Sequence, residues 1–340
     1  MIRILLSRAH SYTISHFLET WGRDVRKFVR PLCYEDLAFG KRLKPGTYIF
    51  ADLERLDDAQ LDFAKHIWRT LAARPESYRL LNDPSKALRR YELLKALHAN
   101  GTNAFQAFRM NNGRLPEKFP VFLRRESEHD GAISSLLNSR QELDSAVADL
   151  TSKGIPRGDL LAVEYCETAD STGLYRKYSA FRVGDRLLAR HALFSRKWVV
   201  KLADETEEKW VEEEAEYLRA HPHEAELRKI FDLAHIDYGR IDYSLLNGKI
   251  QVWEINTNPN ITSSPMKIAP GRLPTQWAFI KQLREAFETV DSMVEGTPTF
   301  VRPDRSLSRR LNITPARRVQ HLAARGVKWL ANRNFVKAQQ

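Results

Sequence analysis

The stretch GRIDYSLLNGKIQVWEIN, residues 239–256, constrains this chain more than any other. Apolar and polar residues alternate on both sides of Asn247-Gly248, the pattern of a β-hairpin whose turn residues tolerate positive φ. Side chains alternate faces along a strand, so Arg240, Asp242 and Ser244 share one face, and Glu254 and Asn256 share one. Register decides whether these are the same face. A two-residue Asn-Gly turn pairs Asp242 with Trp253 and sends the two carboxylates to opposite sides. A three-residue loop, Leu246-Asn247-Gly248 with the glycine left-handed, pairs Val252 with Asp242 and Glu254 with Arg240. That second register is the one expected, and it gathers Arg240, Asp242, Glu254 and Asn256 on one face. Two carboxylates and an amide oxygen on a rigid hairpin suit a hard divalent cation that keeps other positions for water and phosphate. The competing reading is a hairpin whose polar face is simply solvated.

Upstream, residues 1–75 alternate strand and helix: IRILL, an amphipathic helix in SYTISHFLETWG, RKFVRPL, GTYIFADLE, and a helix from LDDAQLDFAKHIWRTLAAR capped by Asp57 or Asp58. That alternation predicts a small parallel sheet, a Rossmann-like α/β domain over residues 1–80. In LLNDPSKALRRYELLKALHANG, Asp83 is the expected N-cap, Pro84 the first helical residue and Gly101 the terminator. Residues 81–185 then read as an entry helix and a smaller unit of strands around one helix. Residues 186–295 read as a larger unit containing the hairpin, and 296–340 as a basic tail. The fold class is therefore α/β with α+β units.

Of the net charge of +11, residues 301–340 carry +9 and residues 1–300 the remaining +2, so the basic pI reports the tail rather than a catalytic surface. Its segment ITPARRVQHLAARGVKWLANRNFVKAQQ puts Val319, Leu322, Ala323, Leu330 and Ala331 on one helical face among Arg and Lys. Such a helix suits an anionic membrane, RNA or a protein partner, or docks on the chain's own body. No apolar run approaches the ~20 residues of a membrane span, and the short apolar start is a first strand rather than a leader, which predicts a cytoplasmic protein. Two distant cysteines, Cys33 and Cys166, exclude a disulfide framework and a zinc-finger spacing. There is no Walker-type glycine loop and no G-x-S-x-G elbow.

The run GRIDYSLLNGKIQVWEINTNPNITSSP resembles the metal-binding end of the ATP-grasp superfamily, and is especially similar to D-alanine–D-alanine ligases and related carboxylate–amine ligases such as glutathione synthetase and the ribosomal-protein glutamate ligases. There the pattern reads G-R-x-D, a turn, and E-x-N-x-x-P; weaker matches continue upstream over most of residues 80–295. The resemblance implies an ATP-grasp fold, two α+β units clasping ATP. It implies that Asp242, Glu254 and Asn256 hold two Mg²⁺ ions, with Mn²⁺ an alternative, that bridge the ATP phosphates. Arg240 would stabilise charge near a reacting acyl phosphate, and Arg190 would contact phosphate or substrate. Lys86 and Arg124 would supply the two phosphate cations of the smaller unit, Arg124 standing where relatives have Lys. The loop ESEHDGAISS, with Gly131, would cover the phosphates, and Glu164, Tyr165 and Cys166 would form the hinge that reads adenine. Glu167 and Asp170 both remain candidates for the ribose. Arg176, Lys177 and Arg196 read as strand-face cations, and Thr262, Ser263 and Ser264 follow the metal ligands, where relatives have a substrate-contacting serine.

These implications predict an ATP- and Mg-dependent ligase that joins a carboxylate to an amine or thiol through an acyl phosphate. The alternatives are a kinase that phosphorylates a small-molecule hydroxyl and a non-catalytic nucleotide-binding protein.

Overall fold

Residues 1–111, 114–201, 204–205, 207–292 and 295–314 are described by a computed structural model. The tail face at Val319–Ala331 lies outside the described residues.

The first ninety residues build a parallel sheet. Strands β1 (Ile2–Leu6) and β2 (Val29–Cys33) flank helix α1 (Tyr12–Glu19), the short helix α2 (Tyr34–Leu37) follows, then β3 (Lys41–Leu43), β4 (Gly46–Phe50), α3 (Asp58–Ala72) and β5 (Tyr78–Leu81). The order is β2-β1-β4-β5 with every pair parallel, and β4 is buried along its length. A strand covered on both faces by helices reads as a continuous apolar run, as GTYIF does. Asp57 caps α3 through a reciprocal box with Gln60.

A second unit begins at α4 (Arg90–Ala99) and contains β6 (Ala107–Arg109), β7 (Val121–Arg125), α5 (Arg140–Ser152) and β8 (Leu160–Glu164), in a three-stranded antiparallel sheet of order β6-β8-β7. The helix expected from Asp83 starts instead at Arg90. Asp83 closes a turn by accepting from the amides of Lys86 and Ala87, and the Leu88 amide is taken by the Ala234 carbonyl, which holds residues 87–89 out of helical geometry.

The third unit is a four-stranded antiparallel sheet of order β10-β9-β11-β12, from β9 (Tyr175–Val183), β10 (Arg186–Ser195), β11 (Tyr238–Leu246) and β12 (Lys249–Asn256). Helices α6 (Glu208–Ala220) and α7 (Glu224–Ala234) lie between β10 and β11 in the chain. The expected boundary at residue 185 thus moves: β9 pairs on both edges inside this larger sheet, and its last six residues are buried. Helix α8 (Leu273–Val290) joins the parts, since Phe279, Leu283 and Phe287 share one core with Ile2 and Ile4 of the parallel sheet and Phe181 of β9. The start of the basic tail docks on the first domain: β13 (Thr299–Val301) pairs with β3, and α9 (Arg305–Arg310) sends Arg310 to Asp62 at 2.7 Å. Among the described residues no helix is long and apolar enough to cross a membrane.

The hairpin turn is the two-residue one. Leu246 pairs with Lys249, and Asn247 (φ 50°) and Gly248 (φ 78°) make the turn. The three-residue loop and the pairs it would impose, Val252 with Asp242 and Glu254 with Arg240, do not form. Yet the carboxylates still share a face, because a bulge leaves Trp253 without a partner: Tyr243 pairs with Val252, then Asp242 with Glu254 and Arg240 with Asn256. A Cβ at Gly248 would meet no atom within 4 Å, so only backbone strain opposes a side chain there. Gly248→Ala is expected to lower stability by about 1 kcal/mol, read from the urea midpoint at unchanged m-value.

Candidate active site

The face that the bulge creates opens on a cavity between the two antiparallel sheets. The three-stranded unit contributes Phe122, Arg124 and the loop residues His129 and Gly131, and Tyr165 and Cys166 just beyond β8 line it too. From the four-stranded unit come Tyr175, Lys177, Asp242, Ser244, Trp253 and Glu254, and Trp198–Lys201 complete the wall. One side is aromatic. Trp253, the unpaired bulge residue, is fixed by its indole N–H donating to Ser244 Oγ (3.0 Å) and is stacked from behind by Phe105; Trp198 packs on Phe122 and Tyr165. The other side is charged. Together they suit a ligand with a flat apolar end and an anionic end.

At the charged end, Asp242 is 4 % exposed and receives Ser179 Oγ (3.0 Å) and the Arg240 guanidinium at 2.9 and 3.3 Å; the Lys177 ammonium stands 3.7 Å away. Glu254 Oε2 accepts from Arg90 (2.7 Å) and Arg124 (2.5 Å), while Oε1 accepts the Asn256 amide N–H (3.0 Å). Burial works to raise the Glu254 pKa, but the guanidiniums of Arg90 and Arg124 outweigh it and hold the carboxylate ionised well below its usual range. Arg124 pays the complementary cost: burial and the neighbouring Arg90 charge push its pKa down to about 10.

Asn256 is 1 % exposed and its Oδ1 has no hydrogen-bond partner. A buried amide oxygen left unsatisfied beside two carboxylates is the donor set that a hard divalent cation completes. The residues therefore fit a Mg²⁺-type ion. Among the described residues no group of three or more His, Cys, Asp or Glu is arranged for a metal; here the third donor is the amide.

The remaining candidates divide. Tyr165, Cys166, Arg124 and Gly131 line the cavity. Lys86 does not: it is exposed on the turn before α4, and the cation delivered to the centre from that region is Arg90, which no sequence pattern singled out. Glu164, at the end of the central strand β8, is 6 % exposed and accepts from the Gln106 amide just before β6 (2.9 Å); it is not among the residues that line the cavity. Glu167 anchors the Tyr165 and Tyr175 hydroxyls at the rim (2.7 and 3.1 Å), whereas Asp170 caps its own turn through Thr172 and Leu174 and pairs with Arg176. Of the two ribose candidates Asp170 is committed elsewhere. Among the strand-face cations Lys177 belongs to the site, while Arg176 and Arg196 pair with Glu213 and Glu205. Lys201, Trp198 and Trp253 also line the cavity without having been singled out.

Arg190 and Arg240 brace the loop after β12 from one side. Arg240 donates to Asn260 O (3.1 Å) and Arg190 to Ile261 O (2.8 Å), with the Arg190 guanidinium 4.6 Å over the Phe279 ring. Burial, reinforced by Arg240, brings the Arg190 pKa down to about 9. A register irregularity between Ala189 and His191 sets Arg190 as the extra residue of its strand. Ser263 offers its carbonyl to the Trp21 indole N–H (2.8 Å), just beyond α1, and Thr262 Oγ1 lies 3.5 Å from Gln276 Oε1 on α8, so this polar loop is held between the two.

Glu54, from the loop after β4, ties three parts together. It accepts from the Thr257 amide (3.1 Å) and hydroxyl, and the His129 imidazole lies 3.1 Å from Oε1.

No protein-family model matches the chain, and no curated protein matches it in sequence. Among solved structures it is similar to the D-alanine–D-alanine ligase of Bacillus anthracis (13 % identity, 85 % of this chain and 99 % of that one, TM-score 0.46). It is similar also to a RimK domain protein ATP-grasp from Sphaerobacter thermophilus (12 %, 85 % and 99 %, TM-score 0.44) and to an L-amino acid ligase from Bacillus licheniformis (11 %, 84 % and 74 %, TM-score 0.40). At such values the likeness assigns no role to any residue.

Burial acts to raise the Glu54 pKa, but His129 and Thr257 override it and bring it to about 2. The stabilisation is complete above about pH 4.5, the unfolded value, and is lost as pH falls from there through 2, for a total of about 3 kcal/mol. Glu54→Gln is expected to flatten that part of the stability–pH curve, measured by denaturant unfolding between pH 2 and 6.

Proposed function

We propose that the chain is an ATP-grasp ligase that joins a carboxylate to an amine, using ATP and Mg²⁺. The observation that carries this reading is the direct opposition of Asp242 and Glu254 across the hairpin, beside the unsatisfied Asn256 Oδ1, at the charged end of an aromatic-walled cavity.

In this reading the adenine lies against the aromatic wall near Tyr165, Cys166 and Trp253, and the phosphates reach the charged end. Arg124, Lys177 and Lys201 supply positive charge there, and phosphoryl transfer depends mainly on such positioning and neutralisation. Asp242, Glu254 and Asn256 would hold Mg²⁺, which when bound supplies charge neutralisation of the phosphates. The substrate carboxylate attacks the γ-phosphorus and ADP leaves. The amine then attacks the acyl carbon and phosphate departs, each step within a site that holds the reactants together. Arg240, fixed on Asp242, is the cation for the developing acyl-phosphate charge, and Arg190 keeps the substrate-side loop in place. Small-molecule or peptide substrates suit the site, and we read the protein as cytoplasmic. The amphipathic segment beyond residue 314 is the candidate contact with an anionic membrane, RNA or a protein.

One observation favours a non-catalytic nucleotide binder: both oxygens of Glu254 are engaged by side chains of the protein itself. Screening amino acids, peptides and hydroxy acids for stimulated release of ADP and phosphate separates the readings. The ligase reading expects amine-dependent ADP and phosphate in equal amounts, and a loss of about 100-fold or more in Glu254→Ala. A stable phosphorylated product with no free phosphate would identify a kinase. Mg-ATP binding without turnover by any acceptor would leave the binder, and unchanged turnover in Glu254→Ala would contradict the assignment.

A further inference from the structure

Arg90 is the most heavily engaged side chain near the cavity that the mechanism does not use. It lies in the first turn of α4 and is 4 % exposed. Its Nη1 donates to the carbonyls of Arg125 (3.1 Å), Glu126 (2.5 Å) and Glu128 (2.7 Å), and its Nη2 to Glu254 Oε2 (2.7 Å). One guanidinium therefore spans the loop over the charged end and the carboxylate beneath it.

The first residues of the loop are also held from the side: Glu126 N donates to Asp159 O (2.8 Å), Ser127 N to Asp159 Oδ1 (3.0 Å), Arg125 pairs with Asp159 (2.7 Å), and the Glu126 carboxylate accepts two bonds from Arg109 (2.7 and 2.5 Å). Beyond Ser127 the holds are weaker: Glu128 stands 3.8 Å from Arg125 and His129 approaches Glu54 before the bridge between Arg124 and Ala132. Glu254 Oε2 is shared between Arg90 and Arg124, so any ligand that takes this oxygen must displace at least one of them. The Arg124 side chain, on β7, donates to Glu254 and to none of the loop's carbonyls, whereas Arg90 cannot shift without changing its three carbonyl contacts. A rigid planar fork transmits such a shift, and a lysine, a point charge on a flexible stem, cannot hold both ends at once.

We infer that Arg90 is a positioning residue that couples the occupancy of Glu254 to the conformation of the loop at residues 125–131. Ligand-free, the carboxylate holds Arg90 and Arg90 holds the loop closed. When Glu254 turns to a ligand, the loop is released or reset. This rests on the proposed Mg-ATP site only in its ligand-dependent part.

Hydrogen exchange at the Asp159-bonded amides of Glu126 and Ser127 tests the coupling on the full chain without ligand. Glu254→Gln and Arg90→Lys are each expected to speed exchange there about tenfold, while the double variant exchanges no faster than Arg90→Lys alone. Circular dichroism and thermal melting certify that the variants are folded. Should Arg90→Lys fail to fold, Arg90→Gln and Glu254→Gln form the same cycle. No change in Glu254→Gln, or additive effects in the double variant, would overturn the inference. With Mg²⁺ and a non-hydrolysable ATP analogue, the wild type is expected to change exchange at these amides and Arg90→Lys to be unresponsive; an equal response in both would also overturn it. If the analogue does not bind at all, the proposed function fails while the ligand-free cycle still decides the role of Arg90.

Discussion

The pairing of Asp242 with Glu254 is the contact on which the rest of the site depends. It exists because one residue, Trp253, is left out of the ladder. A bulge shifts every later residue of β12 to the opposite face, so without it Glu254 and Asn256 would point away from Asp242. The same residue supplies an aromatic wall to the cavity. A second irregularity, at Arg190, does similar work on the far edge of the sheet. Two local departures from regular pairing thus gather charge that regular strands would have divided between faces.

Gathering charge in a buried place has its own cost, and the structure meets it with paired opposites. Asp242 has Arg240 and Lys177, and Glu254 has Arg90 and Arg124. Buried pairs of this kind add little net stability, because desolvation offsets most of the attraction. Their value lies in holding carboxylates ionised and aimed. Asn256 Oδ1, buried in the middle of this network with no hydrogen-bond donor, is the acceptor a cation would take.

Much of the fold was legible because period and turn chemistry are local. The parallel sheet of the first domain, the capped helix α3 and the hairpin around Asn247-Gly248 follow from alternation, capping residues and turn residues. The shared face of Arg240, Asp242, Glu254 and Asn256 was also legible, though for a mistaken reason. The sequence suggests an odd-numbered loop to set the register, while the chain uses the two-residue turn and corrects the parity at Trp253, the fifth residue of β12, through packing of Trp253 against Phe105 and Ser244. Bulges of this sort depend on tertiary neighbours and leave no local signature. Lys86 differs for a related reason: Asp83 and Pro84 suggest a helix start beside it, but the Ala234 carbonyl claims the Leu88 amide and delays the helix until Arg90. Glu164 and Asp170 follow from the resemblance of their segment to a nucleotide-reading hinge, whereas side-chain bonds to the Gln106 amide and to Arg176 decide their direction.

The central claim is that Asp242, Glu254 and Asn256 form a Mg²⁺-dependent nucleotide site. Calorimetric titration of a non-hydrolysable ATP analogue, with Mg²⁺ and with chelator, tests it most directly in wild type and Asn256→Ala. The account predicts that Mg²⁺ tightens binding to the wild type by about tenfold or more, and that Asn256→Ala loses most of that gain while its metal-free affinity changes little. Metal-independent binding in the wild type, or an undiminished Mg²⁺ effect in Asn256→Ala, would contradict it.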